Sequence, residues 1–459
     1  MLNRRHLLGL AAGAAGLGLI IDPARAAKQA TAKQVASKAG GIDPADFGVR
    51  PGATDDQSKA FAKMLKTASD GNQPILLPPG TYIVSELVLP PRVRLAGIAG
   101  ATRLIHGGGG AFIRGENADH IAFSGLMFDG AKQYLGEGVS GLLDLRSVKA
   151  LVIDDCQVNA ASKNGIALQR AAGRIERCTV TGAADAGIWS VDAAGLSISA
   201  NAIDDCGNGG ILVHRWQIGE DSTMVSGNRI TRIGARNGGT GQNGNGINVF
   251  RAGGVLISNN IVSDCAFSAI RANSGSNVQI TGNSCLRSGE TALYSEFAFE
   301  GAAIANNVID GAANGIAIVN FNEGGRMATC SGNIVRNLST TGPYPAEVGG
   351  FGIGIGVEAD TTVTGNVVEN APQCGMQLGW GPYLRNVIAT SNVVRKAGIG
   401  IAVSVVDGAG PTIIADNVLQ DLLHGAIIGK RWAEPVTADL AEIGNAGYEH
   451  LTVERNRVS

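Results

Sequence analysis

A short pattern of strand, bend and strand recurs along the chain, and it constrains the fold more than any other feature. The clearest copy, residues 361–368, reads Thr-Thr-Val-Thr-Gly-Asn-Val-Val and places Asn366 at the bend. Successive copies are 22 to 39 residues apart, most of them 22 to 27. A period of this length with occasional insertions is typical of a solenoid. The other residues in the same slot are Cys156, Cys178, Asn201, Asn228, Asn260, Asn283, Asn307, Asn333, Asn392, Asn417 and Asn456.

A second pattern accompanies the first, because each period also contains a Gly or Ala followed by a short apolar strand. Residues 165–168 (Gly-Ile-Ala-Leu) and 246–249 (Gly-Ile-Asn-Val) are examples. Strands this short cannot bury a core alone, but stacked coils can. Leucine-rich repeats have a similar period and need a regular Leu framework, whereas Val, Ile and Gly dominate here. The sequence therefore predicts an all-β fold, a single-stranded parallel β-helix.

The repeated Asn fits a bend that stacks on itself. Asn tolerates left-handed backbone angles, and its amide can bond the same amide one rung away. We therefore expect the Asn slots to be structural, with Asn283 and Asn307 in the middle of the ladder.

Residues 1–26 have the composition of an export signal. Arg4 and Arg5 precede an apolar run at 7–21, and Ala-Arg-Ala at 24–26 offers a cleavage site. The adjacent arginines favour the twin-arginine route, and an ordinary secretory signal is the alternative. We expect a periplasmic or secreted protein without a membrane span in its mature form, because no later apolar stretch is long enough.

The remaining chain divides into three predicted parts. Residues 27–41 are rich in Ala, Lys, Gln and Ser, which indicates a flexible leader. Residues 42–97 should form an N-terminal cap and the start of the solenoid, and 98–459 the β-helix repeats. Within the cap, apolar residues at helical spacing predict a helix at 56–69, with Thr54 and Gln57 spaced as a capping box.

The cap carries a resemblance to a known superfamily. Asp-Phe-Gly at 46–48, Thr-Asp-Asp at 54–56, Leu-Pro-Pro-Gly-Thr-Tyr at 77–82 and Leu-Ala-Gly at 95–97 resemble the N-terminal part of pectate-lyase-like proteins. That superfamily includes polygalacturonases, pectate lyases and phage tailspikes. With its leader, the chain also resembles exported twin-arginine repeat proteins of bacteria. The resemblance implies a right-handed β-helix whose first rung is covered by the helix, and it specifies the fold rather than the chemistry.

Charge and cysteine content narrow the partners and cofactors. Removal of residues 1–26 takes away three Arg and one Asp and changes the formal charge from −2 to −4, and no basic stripe remains to bind nucleic acid. The seven Cys are expected to be small buried hydrophobes, and a Cys156–Cys178 disulfide is disfavoured because their Cβ vectors would be parallel.

No cofactor or metal is expected. Calcium held by the Asp residues at 154–155, 204–205 and 264 is an alternative, but these residues fall at bends, where Asp is common for its turn chemistry.

The outward positions of the strands that follow each Gly define a candidate site. If the first apolar residue points inward, alternation directs the next residue and the one two positions later outward. These positions are polar or aromatic in the middle coils. Rungs lie about 4.8 Å apart, so such side chains could contact successive sugars. The residues predicted to be catalytic are Arg271, Tyr294 and Glu296, and those predicted to bind substrate are His214, Arg215, Asn248, Arg251, Asn273, Gln377 and Trp380.

Two insertions support a groove beside these residues. Residues 232–244 and 338–350 both lie between an Asn bend and the next strand, so they should leave the same side of the solenoid and form its walls. A ligand is expected near residues 211–300. The alternative is an ordinary solvated face.

These observations favour an exported protein that binds a polysaccharide, acidic or neutral, and could cleave it as a polysaccharide lyase or a glycoside hydrolase. Arg271 could bind a uronate carboxylate bidentately. The catalytic motifs of polygalacturonases, pectate lyases and alginate epimerases are absent from the sequence, so no catalytic residue carries over from them. The alternative is a non-catalytic structural or envelope-associated solenoid without a carbohydrate-active site.

Overall fold

Each repeat forms three short strands separated by bends, one more than the two that the sequence patterns require. The structure is a computed structural model that describes residues 41–346, 349–445 and 447–459. The predicted signal peptide at 1–26 and all but the last residue of the predicted leader at 27–41 lie outside the described residues. Residues 42–459 form one compact unit.

Strands from successive coils pair in parallel and in register, which produces three sheets along the solenoid. The first sheet contains β1 (Ile75–Leu76), β4 (Arg92–Ala96), β7 (His120–Ser124), β10 (Leu151–Asp154), β13 (Gly173–Glu176), β16 (Leu196–Ser199), β19 (Met224–Ser226), β22 (Leu256–Ser258), β25 (Val278–Thr281), β28 (Glu300–Ala305), β31 (Arg326–Ser331), β34 (Ala359–Thr364), β36 (Arg385–Thr390), β38 (Thr412–Ala415) and β42 (Leu451–Glu454).

The second sheet follows the Asn bend of each coil. It contains β2 (Gly80–Val84), β5 (Thr102–His106), β8 (Met127–Asp129), β11 (Gln157–Asn159), β14 (Thr179–Thr181), β17 (Ala202–Cys206), β20 (Arg229–Ile233), β23 (Ile261–Cys265), β26 (Ser284–Leu286), β29 (Val308–Ala312), β32 (Ile334–Leu338), the first parts of β35 (Val367–Leu378) and β37 (Val393–Ser404), β39 (Val418–Leu422) and β43 (Arg457–Val458).

The third sheet follows the Gly-containing bend. It contains β3 (Leu87–Leu89), β6 (Ile113–Ala118), β9 (Gly141–Val148), β12 (Asn164–Gln169), β15 (Ala186–Val191), β18 (Gly209–Glu220), β21 (Asn245–Gly253), β24 (Ile270–Asn273), β27 (Thr291–Glu296), β30 (Asn314–Ile318), β33 (Ile353–Val357), the second parts of β35 and β37, β40 (Ile427–Arg431) and β41 (Glu434–Asp439).

The core lies between the three sheets and consists of stacked aliphatic side chains. Along the third sheet, Ile188, Ile211, Ile247 and Ile270 occupy one inward column on successive rungs, and each is completely buried. Each rung thus buries the apolar surface of its neighbours, as a repeat protein requires. The predicted all-β parallel β-helix is confirmed.

The Asn slots form the predicted ladder. The Oδ1 atom of Asn283 accepts hydrogen bonds from both the backbone N–H and the Nδ2 of Asn260, at 3.0 and 2.9 Å, and Asn307 does the same for Asn283. The ladder runs in this way from Asn201 to Asn456. It starts where the backbone N–H of Cys178 donates to Asn201 Oδ1 at 2.9 Å.

A helix covers the N-terminal end of the core. This helix, α1 (Ser58–Asp70), buries Phe61 against Tyr82, and it packs on β3 and β4. The predicted capping box is wrong: Gln57 occupies the N-cap position, but its Oε1 accepts from the backbone N–H of Arg50 at 2.7 Å. The helix start is instead bridged by Asp56, whose carboxylate accepts from the Ser58 N–H at 2.8 Å.

The cysteines and short helices complete the description. The seven Cys are all buried and free, so Cys156 and Cys178 form no disulfide. Among the described residues, no helix is long and apolar enough to cross a membrane. The short helices are α2 (Leu440–Ile443) and the 3-10 turns Pro44–Phe47, Phe321–Glu323 and Gly381–Tyr383.

Candidate pocket on the third sheet

The outer face of the third sheet aligns most of the predicted site residues in two columns. Asn248, Arg271 and Tyr294 are paired on successive rungs of β21, β24 and β27. The second column runs from His214 through Phe250 and Asn273 to Glu296. Parallel in-register pairing explains this alignment, because equivalent positions of successive coils stack directly on one another.

A pocket of about 390 Å³ lies on these columns. The loop between β20 and β21 folds over the sheet and supplies one wall, while the strands supply the floor. Four of the ten predicted residues line the pocket, and two Phe residues that were not predicted as site residues line it as well. The lining residues are His214, Thr240, Gly241, Gln242, Asn248, Phe250, Arg271, Asn273 and Phe297.

The wall depends on a close contact between Gly241 and Arg271. Gly241 has a φ of +130°, and a Cβ added there would lie 1.5 Å from Arg271 Nη1. Any other residue would strain the backbone at this φ and would force the guanidinium to shift, so glycine favours closure of the loop over this side chain.

Two buried carboxylates hold Arg271 in place. Glu296 Oε1 lies 2.6 Å from Arg271 Nε and also accepts from Asn273 Nδ2 at 3.0 Å. Glu290 Oε2 lies 3.7 Å from Arg271 Nη1. Both glutamates are only 2 % exposed, and burial raises the pKa of Glu296 above its ordinary value. Arg271, which was predicted to point outward to a ligand, therefore belongs to a packed ion-pair cluster.

The loop between β32 and β33 braces this cluster from outside. The Tyr344 hydroxyl donates to Glu290 Oε1 at 2.6 Å, and the Ser268 hydroxyl donates to Glu290 Oε2 at 3.1 Å. The Tyr344 ring also packs against Phe267 and Phe351. Both insertions thus contact the same part of the third sheet, one at the pocket and one beside it.

The residues predicted to be catalytic are mostly covered. Arg271 Cζ lies 5.2 Å from the centroid of the Tyr294 ring, and burial raises the pKa of the Tyr294 phenol above its ordinary range. Arg271 reaches the pocket, but Tyr294 and Glu296 are not among its lining residues. Their catalytic roles remain a prediction, and the geometry gives them contacts to Arg271.

His214 is a neutral side chain at one end of the pocket. Trp189 Nε1 donates to His214 Nδ1 at 3.4 Å, and burial lowers the pKa of His214 to about 4. Its Nε2 is buried and has no protein partner, and the same holds for Asn248 Oδ1 and Arg271 Nη1. None of these three atoms is exposed to solvent, so a ligand reaches them only when the surrounding side chains shift, and Glu290 Oε2 lies 3.7 Å from Arg271 Nη1.

The other predicted substrate-binding residues make contacts outside the pocket. Arg215 lies 3.8 Å from the buried Asp221 and 4.0 Å from Asp192. Arg251 donates to the Trp216 carbonyl at 2.9 Å.

Two further predicted residues lie beyond the pocket towards the C-terminus. Gln377 is three rungs beyond Tyr294 in the same column, and Trp380 packs on Trp432 with ring centroids 5.7 Å apart. Trp432 lies in the turn between β40 and β41, which pair antiparallel at the C-terminal end of the third sheet. The intervening rungs carry Ala317 and Gly356, so Gln377 and Trp380 are separated from the pocket.

The acidic bends are engaged by arginines. Asp154, Asp204 and Asp264 each pair with an arginine of the following coil. Within the ranges that the structure describes, no three His, Cys, Asp or Glu side chains are grouped so as to share a metal ion.

Comparison with known proteins identifies the family. The family model described as right-handed beta helix region matches residues 140–234 and 217–394, which together cover more than half of the chain. The chain belongs to this right-handed β-helix family. No curated protein matches the sequence.

Several solved structures are similar in fold. The pre-mature gene product 12 of bacteriophage phi29 is 17 % identical with a TM-score of 0.51, and the match covers 88 % of this chain and 57 % of the phage protein. The GH87 α-1,3-glucanase of Streptomyces thermodiastaticus is 14 % identical with a TM-score of 0.46, over 92 % of this chain and 69 % of the glucanase. The Dettilon tailspike is 16 % identical with a TM-score of 0.47, over 85 % and 68 %. At these identities the similarities show the fold alone.

Proposed function

We propose that this β-helix protein is exported and binds a polysaccharide in the pocket on its third sheet. The observation that carries the proposal is the pocket itself, whose lining combines the polar side chains of His214, Asn248 and Arg271 with two Phe rings. A sugar hydroxyl can pair with such polar side chains, and a small shift that brings it within reach of His214 Nε2 or Asn248 Oδ1 also satisfies a buried atom that lacks a protein partner.

The shape of the surface suits an extended chain. The lining side chains come from β18, β21 and β24, whose rungs follow one another at about 4.8 Å. Phe250 and Phe297 add apolar rings beside the polar atoms, and Phe297 is 38 % exposed. Sugars present both hydroxyl groups and apolar ring faces, so this combination of groups can contact them on both sides.

Export is part of the proposal because of the N-terminal sequence. Arg4 and Arg5, the apolar run after them and the Ala-Arg-Ala site fit a twin-arginine signal, with His6 in place of the usual Phe. A periplasmic or secreted protein encounters polysaccharides of the cell envelope or its surroundings.

Binding without cleavage fits the carboxylates better than hydrolysis. A glycoside hydrolase needs two carboxyl groups that flank the scissile bond, one as acid and one as base or nucleophile. Glu290 and Glu296 are the carboxylates next to the pocket residue Arg271, and both are 2 % exposed and engaged with it.

Affinity electrophoresis and calorimetry of the purified exported chain against a polysaccharide panel test the proposal. We expect Asn248→Ala to weaken binding five- to a hundredfold, since it removes a buried acceptor. Gln169→Ala is the matched control, because Gln169 occupies the His214 column two rungs earlier and lies outside the pocket. Reducing-end and ultraviolet absorbance assays on the same samples detect hydrolase or lyase products. Absence of binding to every polysaccharide would favour the alternative, a structural or envelope-associated solenoid.

A further inference from the structure

We propose that the pocket selects uncharged sugars and rejects uronates, an inference that rests on the proposed polysaccharide-binding function. It opposes the expectation from sequence that Arg271 recognises a uronate carboxylate.

The charges around Arg271 are the first argument. A bidentate contact with a substrate carboxylate uses two neighbouring N–H groups of the guanidinium. Glu296 already occupies Nε at 2.6 Å, and Glu290 lies 3.7 Å from Nη1. The guanidinium therefore has two protein carboxylates beside it, and a third from a ligand would be repelled by both. Among the residues that line the pocket, Arg271 is the single Lys or Arg.

His214 does not supply a compensating positive charge. Because its pKa lies near 4, it is neutral at physiological pH. The Trp189 indole can only donate, so His214 Nδ1 must accept that hydrogen bond. In the neutral ring the proton then resides on Nε2, which becomes a donor without a protein partner.

The free atoms thus form a mixed array of donors and acceptors. His214 Nε2 and Arg271 Nη1 are donors, and Asn248 Oδ1 is an acceptor. A sugar hydroxyl both donates and accepts, so hydroxyls that reach these atoms after a small shift of the surrounding side chains can pair with the donors and with the acceptor. A uronate keeps ring hydroxyls that can donate to Asn248, so the discrimination comes from its added carboxylate, which can only accept and would lie near Glu290 and Glu296 beside Arg271.

The aromatic rings complete the recognition of an uncharged ligand. Phe250 packs edge-on against His214, with ring centroids 5.7 Å apart, and Arg251 stacks on Phe250 at 4.7 Å from its centroid. These contacts hold the Phe250 ring in place at the pocket. The apolar face of a neutral pyranose ring can pack against it without bringing a charge into the site.

Calorimetry with two oligosaccharides of equal length tests the inference. One is a neutral gluco-oligosaccharide and the other an oligogalacturonate. We expect the neutral probe to bind at least tenfold more tightly at neutral pH. The Glu296→Gln variant keeps an acceptor oxygen for Arg271 and Asn273 but removes one negative charge, so the ratio of uronate to neutral affinity should rise severalfold. Gln169→Ala should leave that ratio unchanged, and circular dichroism and melting temperature should verify that each variant is folded.

The possible outcomes distinguish a failure of this inference from a failure of the proposed polysaccharide-binding function. Tighter binding of the oligogalacturonate would overturn the selection of neutral sugars and leave polysaccharide binding standing. An unchanged affinity ratio in folded Glu296→Gln would refute the charge argument. If neither probe binds and no polysaccharide of the panel binds, the proposed function itself is refuted.

Discussion

Removing one amide of the Asn ladder should destabilise the solenoid measurably. In Asn283→Ala, the backbone N–H of Asn260 loses the acceptor to which it donates at 3.0 Å, and the Asn260 amide loses a contact of 2.9 Å. The Asn283 amide itself also donates to Ile257 O at 3.1 Å and to Asn307 Oδ1 at 3.0 Å. All three Asn side chains are at most 1 % exposed, so water does not replace these bonds.

The magnitude follows from the groups left without partners. An orphaned buried donor costs about 1 to 3 kcal/mol, and each further net hydrogen bond contributes about 1 kcal/mol. With one orphaned donor and three further bonds lost, the free energy of unfolding should fall by about 4 to 6 kcal/mol. Urea titration followed by circular dichroism measures it, and an unchanged m-value confirms that the loss lies in stability rather than in the unfolding mechanism.

The matched control is Asn322→Ala, in an exposed 3-10 turn where the Asn side chain makes one long contact of 3.4 Å. It should stay within about 0.5 kcal/mol of the unmodified chain, as is usual for surface changes. If Asn283→Ala is no more destabilising than this control, the ladder does not stabilise the fold and the reasoning is wrong.

Three further predictions follow from the charged groups and the signal. Arg271→Ala should lower the free energy of unfolding by about 3 to 5 kcal/mol in urea titration, because it leaves two carboxylates buried and unpaired; a change under 1 kcal/mol would contradict the ion-pair cluster. The pKa of His214 falls from 6.5 to about 4 on folding, so the unfolded chain takes up a proton at a higher pH than the folded chain does. The free energy of unfolding should therefore decline as the pH falls from 6.5 to 4, by at most about 3 kcal/mol. Glu358, whose pKa is raised from 4.5 to about 7 by burial, contributes the opposite slope, so the His214 contribution is measured as the difference from His214→Gln. Replacing both Arg4 and Arg5 by Lys should block export in a fractionation assay, and normal export of that variant would indicate the general secretory route.

The sequence by itself determined the repeated part of the molecule. The Asn slots predict the bends, and the Gly-apolar pattern predicts the third sheet, so columns such as Asn248–Arg271–Tyr294 could be written down before the structure. The physical reason is that local pattern and period fix a solenoid: once one coil is aligned with the next, every equivalent residue stacks. Phe250 lies in the same column as His214 and Asn273, so its place at the candidate site could have been predicted from its position alone.

Only the tertiary structure decided which outward residues are exposed. The sequence places Glu296 on the outer face, yet it is 2 % exposed and paired with Arg271. The contacts of Gly241 with Arg271 and of Tyr344 with Glu290 join insertions to distant rungs. Insertions have no period, so nothing in the repeat specifies where they fold back. Burial at the pocket therefore depends on these non-local contacts, and two buried glutamates lie beside the arginine that the sequence predicts to bind a uronate.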